Sequence, residues 1–430
     1  MGLSDETHRH EGCGKAPAKL LRMTRSVKLW TPAAAMLAVS LISYIDRNTL
    51  ALLAPVILRE NGLSAEQYGW IISAFSVTYM AANPLWGRWL DRWGLRWGMT
   101  AAVVLWTLAS ASHALVAGFL GFAIARAALG FGEGATFPGG LRTAVQTLPG
   151  HLQSRGAALA YSGGSLGAVL TPLIIRPVYE AWGWRGAFLF TGGVGALWVL
   201  VWLALSQRDD LRLIPPRNPA APRPERVGLT WSDPRLWSYM ASYALCGLPL
   251  AFVLYHGPIY LDRGLHKTQS EIAGVLWIPP LGWEIGYFAW GWLADRWGRA
   301  REGLSGFRRL TWIALVLMLP LAATPWVSSY AGTLLLLFWA MFVAGGNVIV
   351  SISYATRVFG SANSGLLAGL GAGSWSALVA LVMPWFGRMM DQHRFAEAFG
   401  LATLLPVLGF CVWLWVNRAR RAAPAPQCAP

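Results

Sequence analysis

The sequence has 430 residues, of which 55% are hydrophobic and only 13% carry a charged side chain. Soluble domains carry about 25% charged residues, so the composition argues against a soluble enzyme and for a surface that largely faces lipid. The formal net charge of +15 can indicate nucleic acid. The basic residues here lie in short loops between apolar runs, a pattern typical of membrane proteins, so no nucleic-acid partner is expected.

Residues 1–29 are polar and basic and lack the apolar core of a signal peptide, so they are predicted to form a cytoplasmic tail. The four cysteines are spread along the chain without a CxxC or Cys/His spacing, so no metal site or cofactor is expected. They are Cys13, Cys246, Cys411 and Cys428.

Twelve mostly apolar stretches follow, each of about 20 residues or more and therefore long enough to cross a bilayer as a helix. Their predicted bounds are 30–58, 67–89, 97–115, 118–146, 156–178, 186–205, 235–260, 271–292, 308–327, 331–355, 363–387 and 397–416. Most Lys and Arg residues fall on one side, which predicts that this side and both termini face the cytoplasm. The predicted fold class is an all-α integral membrane protein with twelve spans.

The longest polar stretch, 206–234, is rich in Pro and Arg and is predicted to be a flexible cytoplasmic linker. It divides the spans into two bundles of six, at 30–205 and 235–416. A C-terminal cytoplasmic tail at 417–430 completes the predicted organisation.

An internal repeat supports this division. Residues 86–94 and 290–298 both read W-G-x-x-x-D-R-W-G, at the inner ends of the second and eighth spans. Glycine permits close helix approach, and Asp can accept hydrogen bonds from a facing helix N-terminus, so the motif is predicted to latch the inner side in one conformational state. Positive-inside anchoring explains the Arg residues but not the repeated Asp and Gly. The motif residues are Gly87, Asp91, Arg92, Gly94, Gly291, Asp295, Arg296 and Gly298.

Three motifs carry a resemblance to a known family. The G-x-x-x-D-R-x-G motif at 87–94 resembles the signature loop of the major facilitator superfamily. The Y-x-D-R motif at 44–47, together with R-x-x-L-G-x-x-E-x-x-x-F-P at 126–138, resembles its anion:cation symporter family. The resemblance implies two parallel six-helix repeats and alternating access. It also implies uptake of an organic anion, such as a hexuronate, an aldonate or another small carboxylate, across the bacterial inner membrane. The expected partners are this anion, protons and the lipid bilayer, and a monomer is expected. Sodium coupling stays open.

Five ionisable residues lie inside predicted spans, where charges are costly and usually functional. Arg126 and Glu133 are seven residues apart, so they share a helix face about 10 Å apart, whereas the neighbours Asp46 and Arg47 point about 100° apart. Arg stays protonated and can hold a carboxylate with two donors, so Arg47 and Arg126 are predicted to bind the anion. The alternative is structural pairing, of Arg47 with Glu133 or of Arg126 with Asp46. Glu284 is the fifth residue, and it lines the cavity or pairs near the inner gate.

Asp46 and Glu133 are the predicted proton carriers. Burial favours the neutral form of a carboxyl group and a nearby Arg favours the charged form. A substrate anion that occupies the Arg would therefore favour protonation of the carboxylate. The family resemblance implies the same roles for these two positions.

Softer candidates for substrate contacts are four residues near mid-depth. Tyr44 and Tyr79 could donate hydroxyl groups to a polyhydroxylated ligand, although packing is the commoner role of a single Tyr. Ser374 and Trp375 could contact substrate from the eleventh span, or the small residues there could only allow close packing.

Asn347 and His256 are further candidates for the cavity or a gate. A pH-sensing role is open for His256, beside the hydrogen-bonded structural role that we favour. Two other transport functions are weighed. An exchanger of phosphorylated metabolites needs an Arg in the seventh span, which has none between Arg235 and Arg263. A drug/proton antiporter is disfavoured because the two intramembrane Arg residues would repel cationic drugs. No nucleophile motif indicates a membrane-embedded enzyme.

Overall fold

The computed structural model describes residues 15–212, 229–298, 304–360 and 363–418. Helices follow one another along these ranges. They are α1 Lys15–Asn61, α2 Ala65–Ser112, α3 Gly118–Glu133, α4 Thr136–Thr147, α5 Gly150–Tyr161, α6 Gly163–Leu205, α7 Asp209–Arg212, α8 Pro234–Cys246, α9 Leu248–Arg263, α10 Gln269–Val275, α11 Ile278–Gly298, α12 Ser305–Met318 with a 3₁₀ helix Leu319–Trp326, α13 Tyr330–Phe359, α14 Ser364–Asp391 and α15 Phe395–Val416.

Each predicted span coincides with helical structure to within a few residues. Two long helices, α2 and α6, each extend over two successive spans. A glycine with a positive φ angle makes the turn between these spans: Gly94 (φ 75°) in α2 and Gly183 (φ 68°) in α6. Within the described ranges, seven helical segments are long and apolar enough to cross a membrane. The protein is therefore a multi-pass membrane protein, while the count of twelve crossings and the side of the termini stay predictions.

The predicted tails and linker are described only in part. Helix α1 begins at Lys15 and runs without a break into the first span, so half of the predicted N-terminal tail is helical. The linker contains the short helix α7, and its residues 213–228 lie outside the described residues, as do Cys13, Cys428 and most of the C-terminal tail.

Glycines bring helices of the same half into backbone contact. A Cβ at Gly130 of α3 would lie 2.4 Å from the carbonyl oxygen of Phe75 in α2, and a Cβ at Gly282 of α11 would lie 2.2 Å from that of Phe338 in α13. Only glycine permits such approaches, as is common where membrane helices pack. These glycine contacts hold α3 close to α2 and α11 close to α13.

The two halves meet along α2 and α14, at the end of the molecule that the Lys and Arg pattern predicts to face outward. A Cβ at Gly69 would lie 2.5 Å from the carbonyl oxygen of Met383, and a Cβ at Gly387 would lie 2.0 Å from that of Ala65. We call this contact region, with the ion pairs described next, the outer interface.

Asp391, the last residue of α14, binds the N-terminus of α2 across the outer interface. Its Oδ1 accepts hydrogen bonds from Ala65 N (2.8 Å) and Arg263 Nη1 (2.7 Å), and its Oδ2 accepts one from Glu66 N (2.9 Å). A carboxylate at a helix N-terminus satisfies free N–H groups and is stabilised by the helix dipole. Asp391 therefore ties the two halves together.

Further polar contacts close the same end. Arg59 pairs with Asp262 (2.6 Å). The hydroxyl of Ser270 donates to Glu180 Oε1 (2.9 Å), which also accepts from Arg176 Nε (2.9 Å). Across the described chain, the side-chain hydrogen bonds that join the halves lie in this outer part. The conformation is therefore closed at the predicted outer side.

Candidate anion-binding and proton-coupling site

Four charged side chains are buried together in the first half. Asp46 and Arg47 come from α1, and Arg126 and Glu133 come from α3. None is more than 4% exposed. Since a buried charge is costly unless it is paired or hydrogen-bonded, the partners of each group indicate what it can do.

Arg47 and Glu133 form an ion pair. Arg47 donates to Glu133 Oε2 through Nη2 (2.7 Å) and Nε (3.2 Å), and the hydroxyl of Ser43 donates to the same oxygen (2.9 Å). The other carboxylate oxygen, Oε1, has no hydrogen-bonding partner among the described residues. The pairing that the sequence offered as an alternative is thus present, and Glu133 keeps one free oxygen.

Three aromatic rings enclose the Arg47 guanidinium. Its Cζ lies 4.6 Å from the ring centroids of Tyr44 and Phe75 and 4.8 Å from that of Tyr79. Cation–π contacts at such distances stabilise the charge. The structure therefore brings Tyr44 and Tyr79 to the site, although their hydroxyl contacts with a ligand stay a prediction.

Asp46 points away from Arg47, as the 100° offset predicted. Its Oδ1 accepts from the hydroxyl of Ser110 (2.8 Å), which lies 3.0 Å from the hydroxyl of Thr191. Its Oδ2 has no hydrogen-bonding partner in the described part of the chain. Asp46 makes no ion pair with Arg126, so the second pairing offered by the sequence is not formed.

Arg126 is fully buried and carries a free donor. Its Nη2 donates to the carbonyl oxygen of Arg47 (3.0 Å), and its Nε has no partner within the described ranges. Its Cζ lies 6.0 Å from the ring centroid of Phe75. Unlike Arg47, which is held by a carboxylate, Arg126 faces no counter-charge at ion-pair distance among the described residues, so it is the stronger candidate for the anion.

Glu284 lies in the second half beside an aromatic row. The ring centroids of Tyr44 and Trp283 are 6.0 Å apart, and those of Trp283 and Tyr287 are 5.7 Å apart. Glu284 is partly buried, and its Oε2 has no hydrogen-bonding partner in the part of the chain that the structure describes. Glu284 follows Trp283 in the helix, and its place in the cavity or near the inner gate stays a prediction.

Three residues of the second half that were predicted to contact substrate or to line the cavity or a gate form hydrogen bonds within the protein instead. The hydroxyl of Ser374 donates to the carbonyl of Gly371 in its own helix (2.8 Å), and Trp375 Nε1 donates to the carbonyl of Gly247 (3.0 Å). Asn347 Nδ2 lies 3.3 Å from the hydroxyl of Ser351. These contacts favour packing roles in this conformation.

His256 is fully buried at the junction of the halves. Its ring lies 6.1 Å from the ring of Tyr68 in the other half and 6.0 Å from that of Phe386. Neither ring nitrogen has a hydrogen-bonding partner among the residues described. The backbone of Met383 lies near enough to act on the ring, so the hydrogen-bonded role expected for His256 stays a prediction.

The first copy of the inner motif does not latch the halves in this conformation. Asp91 pairs with Arg142 of α4 in its own half rather than with a facing helix N-terminus. A Cβ at Gly87 would lie 4.0 Å from Pro138 Cβ, an ordinary contact, so close approach is not required there. Arg92 is exposed. Gly94 has a left-handed backbone that favours glycine, and this makes the turn between the second and third spans.

The second copy of the motif ends α11. A Cβ at Gly291 would lie 3.4 Å from Ile349 Cγ2, again without a clash. Arg296 lies with its Cζ 5.5 Å from the ring of Trp292. Asp295 and Gly298 close the helix, and the residues that follow, 299–303, lie outside the described residues.

Sequence reasoning missed Asp391, Tyr68 and Tyr255. Asp391 lies beyond the predicted eleventh span, and nothing in the pattern brings residue 391 to residue 65. Tyr68 and Tyr255 are ordinary aromatic residues of apolar helices. No pattern in the sequence distinguishes these two residues from the other tyrosines of the spans.

Apolar helices in two halves, with charges buried beside the junction, define a polytopic membrane transport protein. The chain belongs to the Major Facilitator Superfamily, whose family model matches residues 36–384. The resemblance drawn from the motifs is thereby confirmed, and the protein is a transporter rather than an enzyme.

Sugar-acid transporters are among the relatives. The hexuronate transporter of Escherichia coli strain K12 is 25% identical over 429 residues, covering 93% of this chain and 98% of that protein. The galacturonate transporter of Dickeya chrysanthemi is 27% identical over 268 residues, covering 59% and 78%. The D-galactonate transporter of Escherichia coli O6:H1 is 29% identical over 295 residues, covering 63% and 67%.

A solved structure shares the fold. A bacterial homolog of the human lysosomal transporter Spinster, in an inward-facing and unoccupied conformation, matches with a TM-score of 0.72 and 15% identity over 90% of this chain and 95% of that one. At this identity the likeness concerns the fold alone.

Proposed function

We propose that the protein imports an organic anion, a sugar acid such as a hexuronate or aldonate or a related small carboxylate, together with protons. The observation that carries the proposal is the fully buried Arg126 with a free Nε donor, beside the buried Arg47–Glu133 pair. Relatives that transport hexuronate, galacturonate and galactonate support the substrate class.

Arg126 is the primary anion site in this account. Its planar donors match a carboxylate, and no protein carboxylate at ion-pair distance competes for it among the described residues. Arg47 also binds the substrate anion once its hydrogen bonds to Glu133 are broken. The Arg47–Glu133 pair of this conformation and the clamp predicted from the sequence are then two stages of one cycle.

Glu133 couples the substrate to a proton. When the anion draws Arg47 away, the Glu133 carboxylate loses its counter-charge in a buried place and is stabilised by taking a proton instead. Its Oε1, which has no partner in the described structure, is the acceptor atom. Asp46, with its free Oδ2, is the second carrier in the pathway.

Alternating access follows from the two halves, 30–205 and 235–416, which rock about the buried site. The outer interface is closed here, and in the proposed cycle the site exchanges substrate with the cytoplasm while this side stays closed. Opening the outer side requires release of Asp391 from the N-terminus of α2. The proposal places the protein in the bacterial inner membrane as a monomer.

Counterflow tests the proposal. Liposomes loaded with unlabelled D-galacturonate should take up labelled D-galacturonate through the wild-type protein. Arg126→Ala should abolish this uptake, and Arg394→Ala, which removes an exposed Arg paired with Glu397, should leave it intact. Counterflow by Arg126→Ala at the wild-type rate would refute the anion site.

A further inference from the structure

Two buried donors lie unused around Arg126. The Nε–H of Arg126 and the hydroxyl of Tyr68 in α2 are both buried and both without a hydrogen-bonding partner among the described residues. Leaving a buried donor unpaired is costly. One unpaired donor belongs to the Arg126 guanidinium and the other is the hydroxyl of Tyr68. Together they point to an acceptor that binds between them.

The third donor, Tyr255, comes from the other half of the chain. Arg126 and Tyr255 each lie eight residues from the outer ends of their helices, α3 and α9, so they sit at a similar depth, about 12 Å along the helix. Arg126 is close enough to the phenols of Tyr68 and Tyr255 to interact with both electrostatically. Tyr255 interacts electrostatically with Arg47 and with Arg126.

The junction of the halves holds these phenols in place. The Tyr68 ring packs edge-on against His256, with centroids 6.1 Å apart, and His256 is the neighbour of Tyr255 in α9. Helix α9 is buried along nearly its whole length. Tyr68 and Tyr255 thus lie on opposite halves of the molecule, and both act electrostatically on Arg126.

We propose that Tyr68 and Tyr255 complete, with Arg126, a three-donor site for one carboxylate group. A carboxylate offers about four lone-pair positions, enough for all three donors. The phenols add donors without adding charge, so the site suits a singly charged carboxylate better than a doubly charged phosphate. Tyr255 is the contact through which bound substrate engages the second half. This inference rests on the proposed function and deepens it.

Binding by single Tyr→Phe variants tests the site, because Phe keeps the ring and removes only the hydroxyl. The purified protein in nanodiscs is titrated with D-galacturonate, and with D-galactose as an uncharged probe of similar shape. Tyr255→Phe and Tyr68→Phe should each raise the Kd for D-galacturonate by about 10-fold or more, since a hydrogen bond to a charged group contributes this much. In counterflow, KM should rise while kcat stays within about threefold of the wild type, because the lost hydrogen bond forms on binding.

Tyr260→Phe is the matched control, because Tyr260 lies on the same helix but packs against Phe395 and Phe399. It should bind D-galacturonate like the wild type. A Kd for Tyr255→Phe within about twofold of the wild type, well short of the loss expected for a charged hydrogen bond, would overturn the inference. If Arg126→Ala loses binding in the same series, the proposed function survives. Failure of the wild type to bind any sugar acid would contradict both this inference and the proposed function.

Discussion

Glu133 binds Arg47 through one carboxylate oxygen only, with Nη2 at 2.7 Å and Nε at 3.2 Å from Oε2. The two donors of the guanidinium converge on the same atom, to which Ser43 also donates. The second oxygen is therefore left free in a fully buried place. A pair arranged in this way can give up Arg47 to a substrate and gain a proton in its stead, which is the basis of the coupling proposed for this transporter.

Replacing Glu133 by Gln should separate coupling from transport. Glutamine keeps the shape of the side chain but cannot exchange a proton, so proton-driven accumulation of D-galacturonate should be lost while counterflow continues. Uptake into liposomes with and without an inward proton gradient measures this. Glu60→Gln, which changes an exposed carboxylate at the outer end, is the control. Wild-type accumulation by Glu133→Gln would remove Glu133 from the coupling step.

Asp391→Asn should open the outer interface. The substitution removes the charge that accepts three hydrogen bonds from Ala65, Glu66 and Arg263. Each bond to a carboxylate contributes about 1.5–3 kcal/mol, so the ratio of the closed to the open state should fall at least about 10-fold. Distances between spin labels at the outer ends of the two halves, in a cysteine-free background, measure the shift. Unchanged distances would show that Asp391 does not hold this side.

Gly387→Ala tests the same interface by shape rather than charge. The added Cβ would lie 2.0 Å from the carbonyl oxygen of Ala65, so α2 and α14 could not keep their present contact. The variant should favour the open outer side and transport slowly, because the return step requires closure. Gly373→Ala, in the same helix with nothing within 4 Å of its Cβ position, should behave like the wild type. Equal rates for both variants would argue against a tight α2–α14 contact in the cycle.

Acid should weaken the outer interface through Glu180. The Arg176 side chain, and then the Ser270 hydroxyl, hold the pKa of Glu180 below its usual value of 4.5. Arg176 lies in the same helix as Glu180, so only the hydrogen bond from Ser270 joins the halves. Because the pKa of Glu180 is lowered, this bond contributes fully above about pH 4.5 and weakens as the pH falls through the lowered pKa. Spin-label distances in the wild type should therefore shift toward the open state only below about pH 4.5. Glu180→Gln should lack this acid step, and its persistence in the variant would assign the step to another group.

Much of the architecture follows from the sequence, because its physical cause is local. Apolar length fixes where helices form, and the seven-residue spacing places Arg126 and Glu133 on one face. The offset of Asp46 from Arg47 also follows from helix geometry, and the structure shows their side chains turned to different partners. The positive φ of Gly94 explains why this position of the motif is a glycine.

The contacts between the halves could not be predicted in this way. Asp391 and Ala65 are far apart in sequence, and their meeting depends on how the two bundles dock and on which side is closed. The same holds for Tyr255, whose relation to Arg126 exists only in the assembled junction. The inner motif depends on the conformational state in the same way. Its Asp91 is predicted to form a latch at the inner side, but it pairs with Arg142 of its own half while the outer side is closed.

Electrical recording tests the central claim most directly. Proteoliposomes are exposed to D-galacturonate with and without an inward proton gradient, and the current is compared between wild type, Arg126→Ala and Arg394→Ala. In the proposed cycle two protons, carried by Glu133 and Asp46, accompany one singly charged anion. We therefore predict an inward positive current in the wild type that grows with the proton gradient, is unaffected in Arg394→Ala and is absent in Arg126→Ala. A current that persists in Arg126→Ala, or that follows sodium and ignores the proton gradient, would contradict the account.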